Sequence, residues 1–296
     1  MLRKHPIILG CGLLLLIGVV FLFLTVLAGS FFGQQAPLWG ERVGVVTIEG
    51  VIRNAQEIVR QLDEYGKDGR IKAVVLRIDS PGGGVTPAQE MYDAVLALKK
   101  KKKVVASMGT LAASGGYLVA CATDRIVANP GTLTGSISTI MQFANAEELL
   151  KKIGLKSSVV KSGRFKDIGS PARAMTDEEK EMLQSVVDDT YDQFLDIVVQ
   201  GRKMSKEDVR KLADGRLFTG RQAHKLGLVD ELGDLSHAVR LAGTLAGIEG
   251  EPKVVYPAKK KSAFWELIVQ QSVSALVSEL QQSDARSGAL HYLYER

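Results

Sequence analysis

The sequence predicts an α/β fold, a sheet of largely apolar strands with helices packed over it, and three observations carry that expectation. Ile71 to Asp79 is apolar at most positions, as suits a strand inside a sheet covered by helices. Short β-branched runs such as Val104-Val105-Ala106 lead through small residues into further apolar segments of helical spacing. Thirty glycines against eight prolines supply many tight turns, because glycine takes backbone conformations that other residues avoid. With 296 residues and 46% hydrophobic content the chain can bury one large or two modest cores.

Ile7 to Ala28 is almost continuously apolar and about as long as a helix that crosses a bilayer. Arg3 and Lys4 precede it and no basic residue follows until Arg42, so the positive-inside bias predicts an anchor with the rest of the chain outside the cytoplasm. A cleaved signal peptide ending near Ala28-Gly29-Ser30 is the competing reading. The expected division is 1–28 for the cytoplasmic N-terminus and transmembrane anchor and 29–41 for a linker. A main folded domain over 42–250 and a C-terminal strand with an amphipathic helical tail over 251–296 complete it.

Val43, Val45, Val46 and Ile48 mark the first strand, and Ile58, Leu62 and Tyr65 one face of the following helix. The strand from Ile71 ends in Ser80-Pro81-Gly82-Gly83-Gly84, after which Thr86, Pro87 and Gln89 offer an N-cap, a first-turn proline and a capping-box partner. Met91, Val95 and Leu98 then form a buried stripe, and Lys99 to Lys103 a solvated helix end. The glycine triplet lacks the spacing of a dinucleotide fingerprint or a P-loop. It serves equally as a tight turn or as a source of open backbone N–H groups.

The next strand runs into Met108-Gly109-Thr110-Leu111-Ala112-Ala113-Ser114-Gly115-Gly116-Tyr117, which places Ser114 among small residues between a strand and a buried helix. Locally, Ser114 reads equally as a helix cap or as a nucleophile whose oxyanion nearby N–H groups would receive. Arg125 to Ala128 is a further strand, Thr132 to Ser136 a polar turn, and Asn145 with Glu148 caps a short helix. Lys156 to Val160 is expected to be a strand. In the stretch after it, Lys166 is an ordinary surface lysine unless burial makes its amine neutral and so a base. Thr176 and Glu179 form a capping box for a helix reaching about Gln200, and shorter helices follow from Ser205, Ala223 and Leu235. Val254 to Pro257 is a last strand, with Lys259 to Lys261 and an apolar helical face from Ser262 beyond it.

Composition excludes several functions. Cys11 and Cys121 alone argue against a disulfide framework, and His5, His224, His237 and His291 have no metal-ligand spacing with them, so neither a metal nor another cofactor is expected. None of these histidines is placed locally as a base for Ser114. The net charge of +5 is mild, without the aromatic interleaving of a nucleic-acid surface.

Four motifs in order carry a family resemblance: Ser80 to Gly84, Ala112 to Tyr117, Leu133-Thr134-Gly135-Ser136, and Ser162-Gly163-Arg164-Phe165-Lys166-Asp167. From about Arg42 to Leu235 the chain resembles bacterial signal peptide peptidase A of the short, single-repeat form. The resemblance implies a membrane-anchored Ser/Lys endopeptidase with the repeated ββα fold of Clp proteases and crotonases. It implies Ser114 as nucleophile, Lys166 as general base, Ser136 as the hydroxyl that positions the lysine, and the N–H groups of Gly83 and Gly115 as oxyanion hole. It further implies cleaved signal peptides and other short or unfolded peptides as substrates. The expected assembly is a homo-oligomeric ring at the bacterial cytoplasmic membrane, with the site outside the cytoplasm and Ser114 and Lys166 meeting from neighbouring subunits. Asp79 stands where the family suggests asparagine, and Ser138-Thr139 where it suggests Gly-Val. A membrane protease for one protein tail, an acyl-CoA enzyme of crotonase type and a non-catalytic scaffold are the competing functions.

Overall fold

A computed structural model describes residues 16–21, 23 and 41–257. The expected anchor falls mostly outside the described residues, and the expected tail helix wholly so. Residues 16–21 and 23 are helical, and among the described residues no helix is long and apolar enough to cross a membrane.

Strand and helix alternate through β1 (Arg42–Glu49), α1 (Gln56–Lys67), β2 (Ile71–Ser80), α2 (Val85–Lys99), β3 (Lys103–Ala113), α3 (Gly115–Ala120) and β4 (Arg125–Ala128). There follow β5 (Leu133–Gly135), α4 (Glu147–Lys152), α5 (Asp177–Arg202), α6 (Lys206–Leu212), β6 (Leu217–Thr219) and α7 (Gly220–Lys225). The described part ends with β7 (Glu231–Leu232), α8 (Leu235–Leu245) and β8 (Lys253–Val255). The sheet runs β6-β5-β3-β2-β1-β8, with β4 and β7 branching from β3, and all its pairs are parallel except β5 with β6. The α/β class expected is thus found, with the sheet mixed through the antiparallel pair of β5 and β6.

Alternation along the central strands sends side chains to two cores. Val46, Ile48, Val74, Leu76 and Ile78 pack with residues of α1, α2, α3 and α5, while Val43, Val45, Ala73, Val75 and Val105 meet Ala238, Val239 and Ala242 of α8. Both faces are therefore covered, which is why β2 is apolar at most positions. Each fully buried valine or leucine of this kind stabilises the fold by roughly 1.5–3 kcal/mol.

β3 changes partner along its length. Val105 to Met108 pair with β4, whereas Leu111 to Ala113 pair with β5. On its other side the ladder with β2 is irregular between Ile78 and Ser80. Asp79 steadies this bend by accepting the Leu111 N–H at 3.1 Å, and Gly109 leaves space for its carboxylate, since a Cβ there would lie 2.8 Å from Asp79 Cγ. The hydroxyls of Thr132 and Thr134 donate to the carbonyls of Gly109 (2.7 Å) and Ala112 (2.6 Å). These threonines therefore hold the strand that carries Ser114.

Four local expectations need correction. Leu133 to Gly135, inside the stretch read as a polar turn, is strand β5, paired with β3 on one side and β6 on the other. α2 begins at Val85, with Gly84 rather than Thr86 at its N-cap, because the Gly84 carbonyl already accepts the Ala88 N–H. α4 begins at Glu147, and Asn145 accepts the Glu147 N–H at 2.9 Å one position before the cap. Lys156 to Val160 is an exposed coil instead of a strand, for among the described residues no strand pairs with it.

Candidate active site

The site is built where β3 ends. Ser114 has φ 53° and ψ −123°, a conformation that costs a non-glycine residue about 1–3 kcal/mol. Its N–H donates to the Gly135 carbonyl at 2.8 Å and its carbonyl accepts the Leu118 N–H at 2.9 Å, so the backbone is fixed from both sides. Ser114 occupies the N-cap position of α3, yet its side chain makes no capping bond. Among the described residues the hydroxyl has no hydrogen-bond partner, which removes the capping explanation for a serine here.

The glycine loop lies against this junction. Ser80 Oγ donates to the Gly50 carbonyl (2.6 Å) and accepts the Gly82 N–H (3.0 Å), which shapes the turn, and Gly82 takes φ 92°. A Cβ on Gly82 would lie 2.6 Å from the Gly115 nitrogen and 2.8 Å from Ser114 Cβ, so only glycine permits this approach. Ile52 bridges the loop by donating to the Gly82 carbonyl and accepting from the Gly84 N–H. The N–H of Gly83 consequently takes no part in the bridge to Ile52, and its nitrogen lies close to Gly115: a Cβ on Gly115 would lie 3.5 Å from it. Among the described residues neither the Gly83 nor the Gly115 N–H donates a hydrogen bond. Two open donors beside a free hydroxyl can receive the oxygen of a tetrahedral intermediate.

A cavity of about 90 Å³ opens in front of Ser114, Gly83 and Gly115. Its apolar wall includes Ala88, Leu118, Ile140 and Phe194, and Ser138, Thr139 and Thr190 add hydroxyls. The sequence alone does not assign Leu118, Ile140, Thr190 or Phe194 to the site. No local signal could, since they come from three separate segments.

Ser136 and Lys166 are positioned differently. Ser136 has φ 50°, donates its N–H to the Arg216 carbonyl at 2.8 Å, and follows the Gly135 whose carbonyl anchors Ser114, but it does not line the cavity. Lys166 is exposed in a turn whose backbone bonds to Gly163, and it does not line the cavity either. Its turn is tied by side chains to Glu178 and Glu179 at the start of α5, whereas Thr190 of the same helix reaches the cavity. The eleven helical steps from Glu179 to Thr190 span roughly 16 Å. The chain thus gathers Ser114, Gly83 and Gly115 at one place and carries Lys166 at another.

Burial pushes the Cys121 thiol up to about 12, which leaves it inert as a nucleophile. Among the described residues no group of histidine, cysteine and carboxylate side chains could hold a metal ion.

A free serine at a strained strand-to-helix junction, facing two open backbone donors on an α/β sheet, defines a serine hydrolase. The profile of peptidase family S49 matches residues 96–249. Over 210 residues the chain is 47% identical to a candidate protease of Synechocystis sp., covering 71% of this chain and 76% of that protein. A candidate protease of Methanocaldococcus jannaschii is 37% identical over 215 residues, 73% of this chain and 69% of that one. A candidate signal peptide peptidase SppA of Enterococcus faecium is 38% identical over 181 residues, 61% of this chain and 53% of that one. The chain belongs to peptidase family S49 and is a serine protease of the signal peptide peptidase type.

Proposed function

We propose that this protein is a membrane-anchored endopeptidase that degrades cleaved signal peptides and other short or unfolded peptides through a Ser114–Lys166 dyad. The observation that carries the reading is the free Ser114 hydroxyl beside the open N–H groups of Gly83 and Gly115 at the mouth of an apolar cavity. Ser114 Oγ attacks the peptide carbonyl while the neutral Lys166 amine takes its proton, helped into place by the Ser136 hydroxyl. Gly83 and Gly115 hold the oxyanion. Lys166 then returns the proton to the leaving amine, and water hydrolyses the acyl-enzyme. The cavity, apolar and small, suits a small or apolar side chain before the scissile bond.

Lys166 acts on the serine of a neighbouring subunit in a homo-oligomeric ring. Two observations support this arrangement: the separation along α5 and the apolar residues exposed between β5 and α5, among them Ile140 (81%), Ile153 (66%) and Val160 (101%). A second copy would cover that surface. Residues 1–28 anchor the ring in the bacterial cytoplasmic membrane and 42–250, in the repeated ββα arrangement, form the catalytic domain on the outer side.

The test is to treat the full chain, solubilised in detergent, with a serine-reactive peptide analogue beside Ser114→Ala and Lys166→Ala, and to locate the label by mass spectrometry. Label on Ser114 in the wild type, with little in Lys166→Ala, is the expected result. Label at another serine, or undiminished labelling of Lys166→Ala, overturns the dyad.

A further inference from the structure

Next to Lys166 lies a charged cluster that the proposed mechanism does not use. Arg173 stands between two carboxylates: its Nε donates to Asp167 Oδ2 at 3.0 Å, and its Nη1 to Glu179 Oε2 at 2.8 Å. Its Nη2 lies 2.9 Å from Asp167 Oδ1 and 2.5 Å from Glu179 Oε1. Glu179 is only 4% exposed and is fixed by α5 itself, because it also accepts the Thr176 N–H at 2.9 Å in the capping box. Asp167, the residue after Lys166, has a side chain 14% exposed and also pairs with Lys161. The other charges around the turn are already engaged. Arg164 pairs with Glu178 of α5, and Glu147 of α4 pairs with Lys151 and accepts the Ala174 N–H. The cluster lies outside both apolar cores. Holding the sheet together is therefore not its purpose.

We propose that Arg173 is a positioning residue for Lys166: it ties the lysine-bearing turn to the buried Glu179 of α5 and keeps the Asp167 carboxylate from pairing with the lysine amine. The inference rests on the reading of Lys166 as general base. A base on an exposed turn has two needs, a fixed location and a neutral amine. The bridge to Glu179 meets the first, since a planar guanidinium holds two carboxylates in one geometry where an ammonium would hold them as a point charge. Occupying Asp167 meets the second, because a free carboxylate on the residue next to the lysine would favour the charged, non-basic form of the amine.

The experiment measures peptide hydrolysis against pH for the full chain in detergent micelles. It compares wild type, Lys166→Ala, Arg173→Gln, and Arg173→Gln combined with Asp167→Asn. Arg173→Gln should lower kcat by about tenfold or more with KM little changed, as misplacement of a catalytic group does. Its rising acid limb should move to higher pH by about one unit, the effect of an unpaired carboxylate near the base. Adding Asp167→Asn should bring the limb back while kcat stays low. If Arg173→Gln is inactive at every pH, the same comparison is read on Arg173→Lys with and without Asp167→Asn. An unmoved limb, or one equally displaced in the double variant, overturns the inference while an inactive Lys166→Ala leaves the dyad standing. An active Lys166→Ala overturns the dyad and the role of Arg173 with it.

Discussion

Ser114 holds a backbone conformation that a side chain disfavours, and it does so because Gly135 and Leu118 pin its two peptide groups. Stability and activity therefore diverge at this residue. Ser114→Gly and Ser114→Ala should both abolish hydrolysis, but the glycine variant should be more stable than the alanine variant by about 1 kcal/mol, because glycine takes positive φ without strain. Thermal melting of the two decides it, and equal midpoints would remove strain from the account. Gly83 and Gly115 differ in the space around them. A Cβ on Gly83 would overlap the Ile52 carbonyl, whereas one on Gly115 would first meet Ala88 Cβ at 3.2 Å, a tight contact that stops short of overlap. Gly83→Ala should thus break the bridge and cost roughly 10²–10³ in kcat, as loss of one oxyanion donor does, with Gly115→Ala the milder change. Steady-state rates rank them. Ser114 and its flanking glycines were legible because chemistry and close approach both demand particular residue types. Asp79 was legible only as a departure from the family pattern; its bond to Leu111 appears once β3 is seen to bend.

Among the elements, α5 does most to organise the site. Its start was plain in the sequence, for Thr176 and Glu179 form the capping box that their spacing predicts, with the Thr176 hydroxyl accepting the Glu179 N–H at 3.2 Å. Thr176→Ala should cost about 1 kcal/mol, the usual worth of such a cap. For a domain of this size that is a fall of roughly 2–4 °C in the melting midpoint. Its far end depends on Gly201, where a Cβ would overlap the Cys121 carbonyl and part α5 from the loop after α3. The strand expected over Lys156 to Val160 failed for a reason that periodicity cannot contain. A β-rich run becomes a strand only beside an edge with free donors and acceptors, and among the described residues none pairs with it. The two faces of β2 were readable because burial on both sides leaves a near-continuous apolar run, whereas the partner change along β3 leaves no such trace.

For the whole molecule, acid should be destabilising in a defined window. The Arg173 guanidinium and the Thr176 N–H hold the Glu179 carboxyl down at about 2 against an ordinary 4.5. Arg70 likewise holds Asp68, and Arg216 holds Asp214, at about 2 against 3.8. Carboxylates depressed in the folded state contribute stability that is present above their unfolded values and lost as pH falls through the folded ones. The melting midpoint should accordingly be level above about pH 5 and fall between about pH 4.5 and pH 2. Arg173→Gln should show a shallower fall, and calorimetry across that range checks both. A last consequence follows from α5, which lines the cavity of Ser114 at Thr190 and Phe194 while its first turn holds the turn bearing Lys166. If each working centre takes its serine from one subunit and its lysine from the next, it survives only where two adjacent subunits are sound. Rings assembled from wild-type chains diluted with the double variant Ser114→Ala/Lys166→Ala should then lose activity with the square of the wild-type fraction. A straight-line loss would mean self-sufficient subunits, so the shape of a dilution curve reads out how the chain divides labour with its neighbours.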